Sequence, residues 1–509
     1  MVSYFNKKEG ENVNRFQDFL YRFFFEERTD ILNNSDLIIK EINDFKTSFR
    51  RKCMINGERY YEGKHDIIHM KRTVIGEGGK LEEVENLPNH HVIDNQYAKM
   101  VNQKKNYLLG QPMVIKSDNQ VYSNALNDIF NKRFMRMMKN ILEDALNEGI
   151  SYLYIGYDGE GHLKFTKLKG HEVVPLWKDS DHTELEGAIR FYPTIIESKH
   201  EKRIVDKIEV YNADGVYRMT LDDGRLIADE KKPYEPYITI ANDDGSEECL
   251  NWINIPLVPF KYNSKEIPLL NKVKSLQDGI NQILSTFQNN MEEDSRNTIL
   301  IIVNYDGENL GEFRRNLAQY GAVKVKNING AGGDVRSLQV EVNAENYKVI
   351  LELFKKALIE NAMGFDAKDD RIAGNPNQMN IQSMYSDIDL DANDIETEFQ
   401  ASFEQLIWFI NCHLENIGIG NFESEDIEII FNRDMLMNES EIIDNVNKST
   451  DLSLETRLAN HPWIDDVDEE LEKINKQKQE EIDSYVSAFP TGLPPAGRET
   501  IKNGEVNEE

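Results

Sequence analysis

The sequence is poor in the residues that mark exported, membrane-spanning or cysteine-bound metal proteins. Its three cysteines, Cys53, Cys249 and Cys412, are odd in number and far apart, which favours a reducing compartment without disulfides or a cysteine-based zinc site. It has no run of about 18 apolar residues, so we expect no membrane span. The first residues, Met1 to Lys8, lack the apolar core of a signal peptide. We therefore expect a soluble protein that is not exported.

Positive charge is also scarce. Lys and Arg number 59 against 90 Asp and Glu, which gives a formal net charge of −31. A protein that holds DNA tightly needs a basic face that displaces counterions from the phosphates. This chain has no basic excess, so it either ignores nucleic acid or handles DNA without gripping it. Acidity that only aids solubility is the simpler interpretation of the charge taken alone.

Two short motifs resemble functional sites but lack the residues that those sites need. The glycine-rich segment 76–80 does not have the Walker spacing, and no strong strand precedes it, so we do not predict nucleotide binding. His65 and His69 are four residues apart, but a zinc protease needs Glu at position 66, where this chain has Asp, and a third ligand. The sequence therefore predicts no metal site and no cofactor here.

A third motif is acidic. Asp387, Asp389 and Asp391, with Glu398, follow the spacing of a calcium loop, but Ala392 stands where that loop requires Gly. The pattern favours a solvated acidic face of a helix. A magnesium-dependent nuclease that uses the three aspartates remains the alternative, because clustered carboxylates can hold Mg²⁺. Residues two apart on one helix diverge in direction, which counts against it.

The patterns that are present predict an α+β fold. A chain of 509 residues exceeds one core, so we expect several sub-structures. Alternating apolar residues between Asp-Gly turns predict antiparallel sheet from about 149 to 262. Two long helices, beginning at 265 and 378, flank a strand-containing insert and a shorter helix.

The first long helix carries an apolar stripe at almost heptad spacing. One such stripe on so long a helix needs a neighbour to cover it. We predict that the stripe packs between identical subunits, and that its residues are Leu269, Val273, Leu276, Ile280, Ile283 and Phe287.

Several segments, in this order, resemble bacteriophage portal proteins, the head-to-tail connectors of tailed phages, of the type found in long-tailed siphophages of Gram-positive hosts. Each is weak alone, but together with the order helix, insert, helix, loop, long helix they cover most of the chain. The segments are YYEGKHDI at 60–67, NYLLGQP at 106–112, EGISYL at 148–153, EVVP at 172–175, LSLETR at 452–457 and PWIDD at 462–466.

The resemblance implies a portal fold with long stem and wing helices, a β-rich wing, a small α/β clip and a helical crown. It assigns the wing to 1–264 and 378–437, the stem helices to 265–297 and 344–363, the clip to 298–343, the tunnel loop to 364–377 and the crown to 438–489. Residues 490–509 are predicted to be a disordered tail.

The resemblance also implies a structural role rather than an enzyme. It implies a ring of roughly twelve identical subunits at one capsid vertex, in the virion and, during assembly, in the host cytoplasm. Double-stranded DNA passes through this ring without sequence specificity during packaging and ejection. Terminase, head-completion or adaptor proteins, capsid and scaffolding proteins are the implied partners. A non-portal scaffold or adaptor is a further alternative.

Two groups of candidate site residues follow from the resemblance. The tunnel loop is expected to touch DNA transiently, without reading bases, through Asp366, Lys368, Asp369, Asp370, Arg371 and Asn375. The clip is expected to dock terminase through Glu308, Arg314 and Arg315. The simpler interpretations are an ordinary solvent-exposed loop and surface charges that only aid solubility.

Overall fold

The protein combines helices with antiparallel sheets, which confirms the α+β class. The structure is a computed structural model that describes residues 34–75, 79–85, 87–198, 201–241, 247–294, 299–303, 309, 311, 315, 325–326, 332, 334–338, 344–366, 378–433, 439–461, 463–464 and 467–488. The chain divides into two compact units. One contains Met1–Ala367 and Met384–Met435, and the other contains Lys368–Ser383 and Leu436–Glu509. The division into wing, stem, clip and crown stays a prediction.

In the described part of the chain, five α-helices precede the main sheets, and a polar side chain caps the N-terminus of each. The caps are Asn34, Ser48, Asn95, Asn119 and Asn131, whose side-chain oxygens accept hydrogen bonds from the first backbone N–H groups. The helices are α1 (Ser35–Thr47), α2 (Phe49–Tyr61), α3 (Gln96–Leu109), α4 (Gln120–Ile129) and α5 (Lys132–Glu148).

Glycine ends α5 for a steric reason. Gly149 has φ of 86°, and a Cβ at this position would lie 2.1 Å from the carbonyl oxygen of Glu266. A side chain is therefore excluded both by the left-handed backbone and by the neighbouring chain.

The region from Ile150 to Lys261 is antiparallel sheet, as the alternating pattern predicts. One sheet has the order β10-β9-β8-β7-β6 with β11 paired to β9, and a second has the order β14-β4-β5. The bounds are β4 (Ile150–Tyr157), β5 (Leu163–Lys169), β6 (Val173–Trp177), β7 (Leu185–Ser198), β8 (Glu201–Asn212), β9 (Gly215–Asp222), β10 (Arg225–Ala228), β11 (Tyr234–Glu235) and β14 (Leu257–Lys261).

The other strands form two-stranded ladders. The pairs are β1 (Thr73–Ile75) with β2 (Leu81–Glu83), β12 (Ile238–Ala241) with β13 (Glu247–Leu250), β15 (Ile299–Val303) with β16 (Asp334–Leu338), and β3 (Val114–Lys116) with β17 (Glu428–Ile430). The last pair joins the N-terminal helical region to the chain that follows the second long helix.

The two long helices are α6 (Leu270–Asp294) and α8 (Gln378–Asn416), and α7 (Ala344–Asn361) packs against α6. Helix α6 begins at Leu270 rather than at Lys265, because Pro268 keeps the residue before it out of helical conformation and Glu266 has φ of 55°. In the second unit, α9 (Glu439–Lys448), α10 (Leu454–Ala459) and α11 (Val467–Ala488) are helical, as predicted for this region.

Among the described residues, two groups of buried side chains show how the core holds these elements together. Helix α1 covers the larger sheet with Ile38 and Ile42, which pack with Ile189, Ile208 and other sheet residues. The buried face of α8 is aromatic: Phe399 and Phe403 pack edge-on against Phe260 of β14, at ring-centroid distances of 5.1 and 5.7 Å.

Candidate functional site

The candidate residues of the tunnel loop and the clip fall largely outside the described residues. This holds for Lys368, Asp369, Asp370, Arg371 and Asn375 of the loop and for Glu308 and Arg314 of the clip. Asp366 is half-buried where the chain enters the loop, and Arg315 is exposed. Their roles stay predictions, but the structure shows how the entrance to the predicted tunnel loop is held.

Gln103 of α3 binds the backbone at the entrance to the predicted tunnel loop. Its Nε2 donates to the carbonyl oxygen of Phe365 at 2.7 Å, and its Oε1 accepts from the N–H of the same residue at 2.9 Å. The side-chain amide of Gln103 thereby satisfies both backbone polar groups of Phe365, as a neighbouring β-strand would. Gly364 allows the close approach, because a Cβ there would lie 2.6 Å from Sδ of Met100.

Lys104, the next residue of α3, links the same backbone to α8. Its Nζ donates to the carbonyl oxygen of Met363 at 2.9 Å and pairs with Oδ2 of Asp391 at 2.7 Å. Tyr262 donates its hydroxyl to Oδ1 of Asp391 at 2.9 Å. Burial lowers the pKa of Lys104, and the carboxylate of Asp391 opposes this shift. The buried ammonium therefore has two acceptors inside the protein, one of them a carboxylate.

An aromatic contact joins the entrance of the predicted tunnel loop to α8. Phe365, at the entrance, stacks on Tyr385 of α8 with ring centroids 4.3 Å apart, and Tyr385 lies 5.7 Å from the ring of Tyr107. We call Gln103, Lys104, Phe365, Tyr385 and Asp391 the loop anchor. Sequence reasoning missed the residues of α3, because Gln103 and Lys104 look like ordinary surface residues of an amphipathic helix.

The apolar stripe of α6 that was predicted to pack between subunits is partly buried within the subunit itself. Leu269, Val273 and Ile280 are fully buried, whereas Leu276, Ile283 and Phe287 are half-buried. Phe287 contacts the ring of Tyr347 of α7 at 5.0 Å. The surface that this stripe can offer to another subunit therefore comes from its three half-buried members, and its role between subunits stays a prediction.

A second stripe of α6 is polar and was missed. Its side chains bind backbone N–H groups of the irregular segment that precedes α3 and of Tyr97 in the first turn of α3. The contacts are Gln277 to Tyr97 at 2.9 Å, Asn281 to Asp94 at 3.1 Å, Ser285 to Val92 at 2.9 Å and Asn289 to His90 at 2.8 Å. All four side chains are buried. In the sequence, the regular spacing of these polar residues, four positions apart, was the sign that they share one face of the helix.

Helix α7 exposes apolar side chains. Val349, Ile350 and Leu353 are 46%, 44% and 60% exposed, and Met291 of α6 is 57% exposed. Positions 349, 350 and 353 are three and four residues apart, so the three side chains share one side of the helix. This apolar face is left uncovered by the described part of the chain.

The three aspartates of the acidic motif do not converge. Asp391 is buried against Lys104, and Asp389 accepts from the hydroxyl of Tyr107 and pairs with Arg433 at 3.0 Å. Only Asp387 is exposed. The prediction of a wholly solvated acidic face is therefore wrong for Asp391, because α8 turns that residue toward a buried lysine.

Within the described residues, one group brings three possible metal-ligating side chains together: Glu58, Glu148 and His171. Positively charged side chains already pair with the carboxylates of this group. Lys169 pairs with Glu58, and Nδ1 of His171 lies 3.1 Å from Glu148. Burial alone would lower the pKa of His171, but the Glu148 carboxylate raises it. The group is therefore an ion-pair network that joins α2 to the end of α5.

A cavity of about 310 Å³ lies between α8 and the segment 421–429. Aromatic and acidic side chains line it, and none of its lining residues is Lys or Arg. Burial, and then the carboxylates of Glu415 and Glu423, raise the pKa of the Cys412 thiol to about 12. The carboxylates in the lining are Glu404, Glu415, Glu423, Glu425 and Asp426.

Comparisons with known proteins match one family over most of the chain. The family described as "Phage portal protein, SPP1 Gp6-like" matches residues 41–484. The portal protein of Bacillus phage SPP1 is 27% identical over 442 residues, which is 85% of this chain and 84% of that protein. The portal protein of Clostridium phage phiCD119 is 26% identical over 452 residues, 86% of this chain and 95% of that protein. Among the described helices, none has the length and hydropathy of a membrane span.

Proposed function

Because this chain belongs to the SPP1 Gp6-like family of phage portal proteins, we propose that it forms a closed ring of roughly twelve copies at one vertex of the capsid. The ring is the channel through which double-stranded DNA enters the capsid during packaging and leaves it during ejection. The protein acts in the virion, after assembly in the host cytoplasm.

The uncovered apolar face of α7 is the observation that supports a ring most directly. Val349, Ile350 and Leu353 of α7 expose apolar surface, although α7 packs against α6. Contiguous exposed apolar surface of this kind marks protein–protein contacts. In a ring, the α6–α7 pair of one subunit covers this face on the next, and Leu276, Ile283 and Phe287 contribute their remaining exposed surface.

The charge of the chain supports a channel that lets DNA slide. Each copy carries a net charge of −31, so a ring of copies repels the phosphate backbone instead of releasing its counterions. Low affinity keeps the duplex mobile. Contact with the DNA is then confined to the tunnel loop, through Asp366, Lys368, Asp369, Asp370, Arg371 and Asn375.

The loop anchor supports this role for the tunnel loop. Gln103 and Lys104 fix the entrance of the loop to α3, while the stacking of Phe365 on Tyr385 fixes the same entrance to α8. A loop with a fixed base can present charged side chains to a moving duplex without disturbing the body of the subunit.

The remaining assignments follow from the family. The clip, 298–343, docks terminase during packaging and head-completion or adaptor proteins afterwards, and Glu308, Arg314 and Arg315 are the proposed contacts. The crown, 438–489, faces the capsid interior, and the wing meets capsid and scaffolding proteins. No cofactor or catalytic step is part of this function.

No observation favours the nuclease alternative. A two-metal site needs carboxylates that converge on one point. Asp389 and Asp391 instead bind Arg433 and Lys104. A scaffold or adaptor without a central channel would also form oligomers, and only the shape of the assembly separates it from a portal.

Substitution on α7 tests the proposal. Leu353→Asp places a charge on the apolar face, and we expect the protein concentration at half-assembly to rise at least about tenfold, or about 1.4 kcal/mol per contact. Ile227→Asp on β10, where Ile227 is 53% exposed, is the matched control and should assemble like the parent chain. Native mass spectrometry over a concentration series measures both. Equal assembly of the two variants would contradict the role of α7.

A further inference from the structure

The acidic cavity beside α8 and a basic turn at the start of α5 are complementary features of one chain. The cavity is lined by Glu404, Glu415 and Asp426 among other residues, with the ring of Trp408 in its wall. In the described part of the chain, no Lys or Arg forms an ion pair with these three carboxylates. Within the described residues, these three carboxylates therefore add negative charge to the cavity without a cationic side chain paired to them.

The basic turn consists of Lys132, Arg133 and Arg136, all exposed. Three positive charges at a helix N-terminus are electrostatically unfavourable, because the helix dipole is positive at that end and the first turn of α5 has no acidic residue. Among the described residues, no carboxylate pairs with any of the three. Their placement costs stability in the isolated subunit, which points to a partner that compensates them.

The size and chemistry of the cavity suit long basic side chains. About 310 Å³ is at the lower end of ligand-pocket volumes, which is room for side chains but not for a large cofactor. Carboxylates bind a guanidinium through paired hydrogen bonds, and an indole ring attracts a cation over its face. Arg133 and Arg136 are one turn apart on α5, so both can point toward one partner surface.

We propose that the acidic cavity of one subunit receives the basic turn of α5 from a second copy of the same chain. This inference rests on the proposed ring. The contacts in a ring are heterologous, so each subunit must carry two different patches that complement each other. Copies with a net charge of −31 repel one another, and local pairing of cations with anions at the interface offsets that repulsion.

Charge reversal and its rescue test the pairing in the full chain. The first variant is Arg133→Glu with Arg136→Glu, the second is Glu404→Lys with Asp426→Lys, and the third combines all four. We expect each double variant to raise the concentration at half-assembly at least about tenfold. The combined variant, in which the charges again match, should assemble within about threefold of the parent chain. Native mass spectrometry measures the ring fraction.

Matched controls separate this effect from a change of net charge or folding. Two control variants make charge changes of the same size and sign at exposed positions outside both features. One is Lys164→Glu with Arg225→Glu, and the other is Glu186→Lys with Glu230→Lys. Both controls should assemble normally. The Tm of every variant, measured by circular dichroism at a concentration below assembly, should stay within a few degrees of the parent value.

The outcomes distinguish this inference from the proposed function. If the parent chain forms rings and the reversed variants do too, the inference fails while the ring stands. If the reversals block assembly but the combined variant is not rescued, each feature matters for assembly without meeting the other, and the inference fails. A parent chain that never forms rings would overturn both proposals.

Discussion

Nζ of Lys104 lies 2.7 Å from Oδ2 of Asp391, and only 1% and 5% of the two side chains are exposed. This pair joins α3 to the long helix α8, and the same ammonium binds the carbonyl oxygen of Met363. One lysine therefore ties together two helices and the backbone that enters the predicted tunnel loop. A buried charge of this kind depends on its partners, because water cannot reach it.

Removing one partner of this pair should destabilise the protein strongly. In Lys104→Ala the buried carboxylate of Asp391 loses the nearer of its two cations and keeps only Lys272, at 3.6 Å, so we expect the free energy of unfolding to fall by up to about 3–5 kcal/mol. Urea denaturation followed by circular dichroism measures the change.

The double variant Lys104→Met with Asp391→Asn is the control. It removes both charges while keeping an acceptor for the hydroxyl of Tyr262, so we expect it to unfold within about 2 kcal/mol of the parent chain. If Lys104→Ala proved as stable as the double variant, the pair would not be the buried contact described above.

Gln103 should control the local stability of the loop entrance. Gln103→Ala removes both hydrogen bonds to the backbone of Phe365, each worth about 1 kcal/mol. We expect hydrogen exchange in the peptide that contains Phe365 to become roughly thirtyfold faster, with little change elsewhere. Lys99→Ala, at an exposed position of the same helix, should leave this exchange rate unchanged. An unaltered rate in Gln103→Ala would show that the amide does not hold the loop entrance.

The buried network at His65 predicts a loss of stability in mild acid. Oδ1 of Asn281 accepts from the N–H of Asp94, so Nδ2 of Asn281 donates to Nδ1 of His65, and Nε2 of His65 faces the carbonyl of Tyr60. Protonating Nδ1 of His65 would turn this acceptor into a donor, which would then face the Nδ2 donor of Asn281. Burial lowers the pKa of His65 from its ordinary value near 6.5.

The sign of the pH effect follows from this shift. Above about pH 6.5 His65 is neutral in both states and stability is complete, whereas below it the unfolded chain takes up a proton that the folded chain resists. We expect the urea midpoint to fall between pH 7.5 and 5.5. His65→Gln keeps a donor and an acceptor without titrating, so its midpoint should be lower at pH 7.5 but should change less over this interval. Parallel pH profiles for the two chains would refute the assignment.

The Cys412 thiol should react slowly because its pKa is raised to about 12. A thiol with so high a pKa holds almost no thiolate at pH 8, and only the thiolate attacks an alkylating reagent. Glu415→Gln removes one nearby charge, and we expect Cys412 to react with iodoacetamide about threefold faster, equivalent to roughly half a pKa unit. Site-resolved mass spectrometry separates Cys412 from Cys53 and Cys249. Glu428→Gln, outside the cavity, is the control, and equal rates in both variants would show that charge does not govern this thiol.

The regular elements were predictable because their patterns are local. Alternation and Asp-Gly turns predicted the antiparallel sheets, and four-and-three spacing predicted α6 and α8. The start of α6 was placed too early, since the apolar stripe continues to Leu269 although Pro268 stops the helix. Periodicity shows which face is apolar, but backbone geometry decides where the helix begins.

The loop anchor and the polar stripe of α6 were not predictable in the same way. Gln103 and Lys104 acquire their roles from residues more than 250 positions away in the sequence. Asn281 and Asn289 looked like solvent-facing residues because polar side chains usually face water. They are buried because the N–H groups of the irregular chain before α3 need hydrogen-bond acceptors.

Electron microscopy of the purified full-length chain, viewed end-on, tests the central claim most directly. The account predicts closed rings of uniform subunit number around an open channel wide enough for a DNA duplex. A preparation that stays monomeric at micromolar concentration, or that forms oligomers without a central opening, would contradict it.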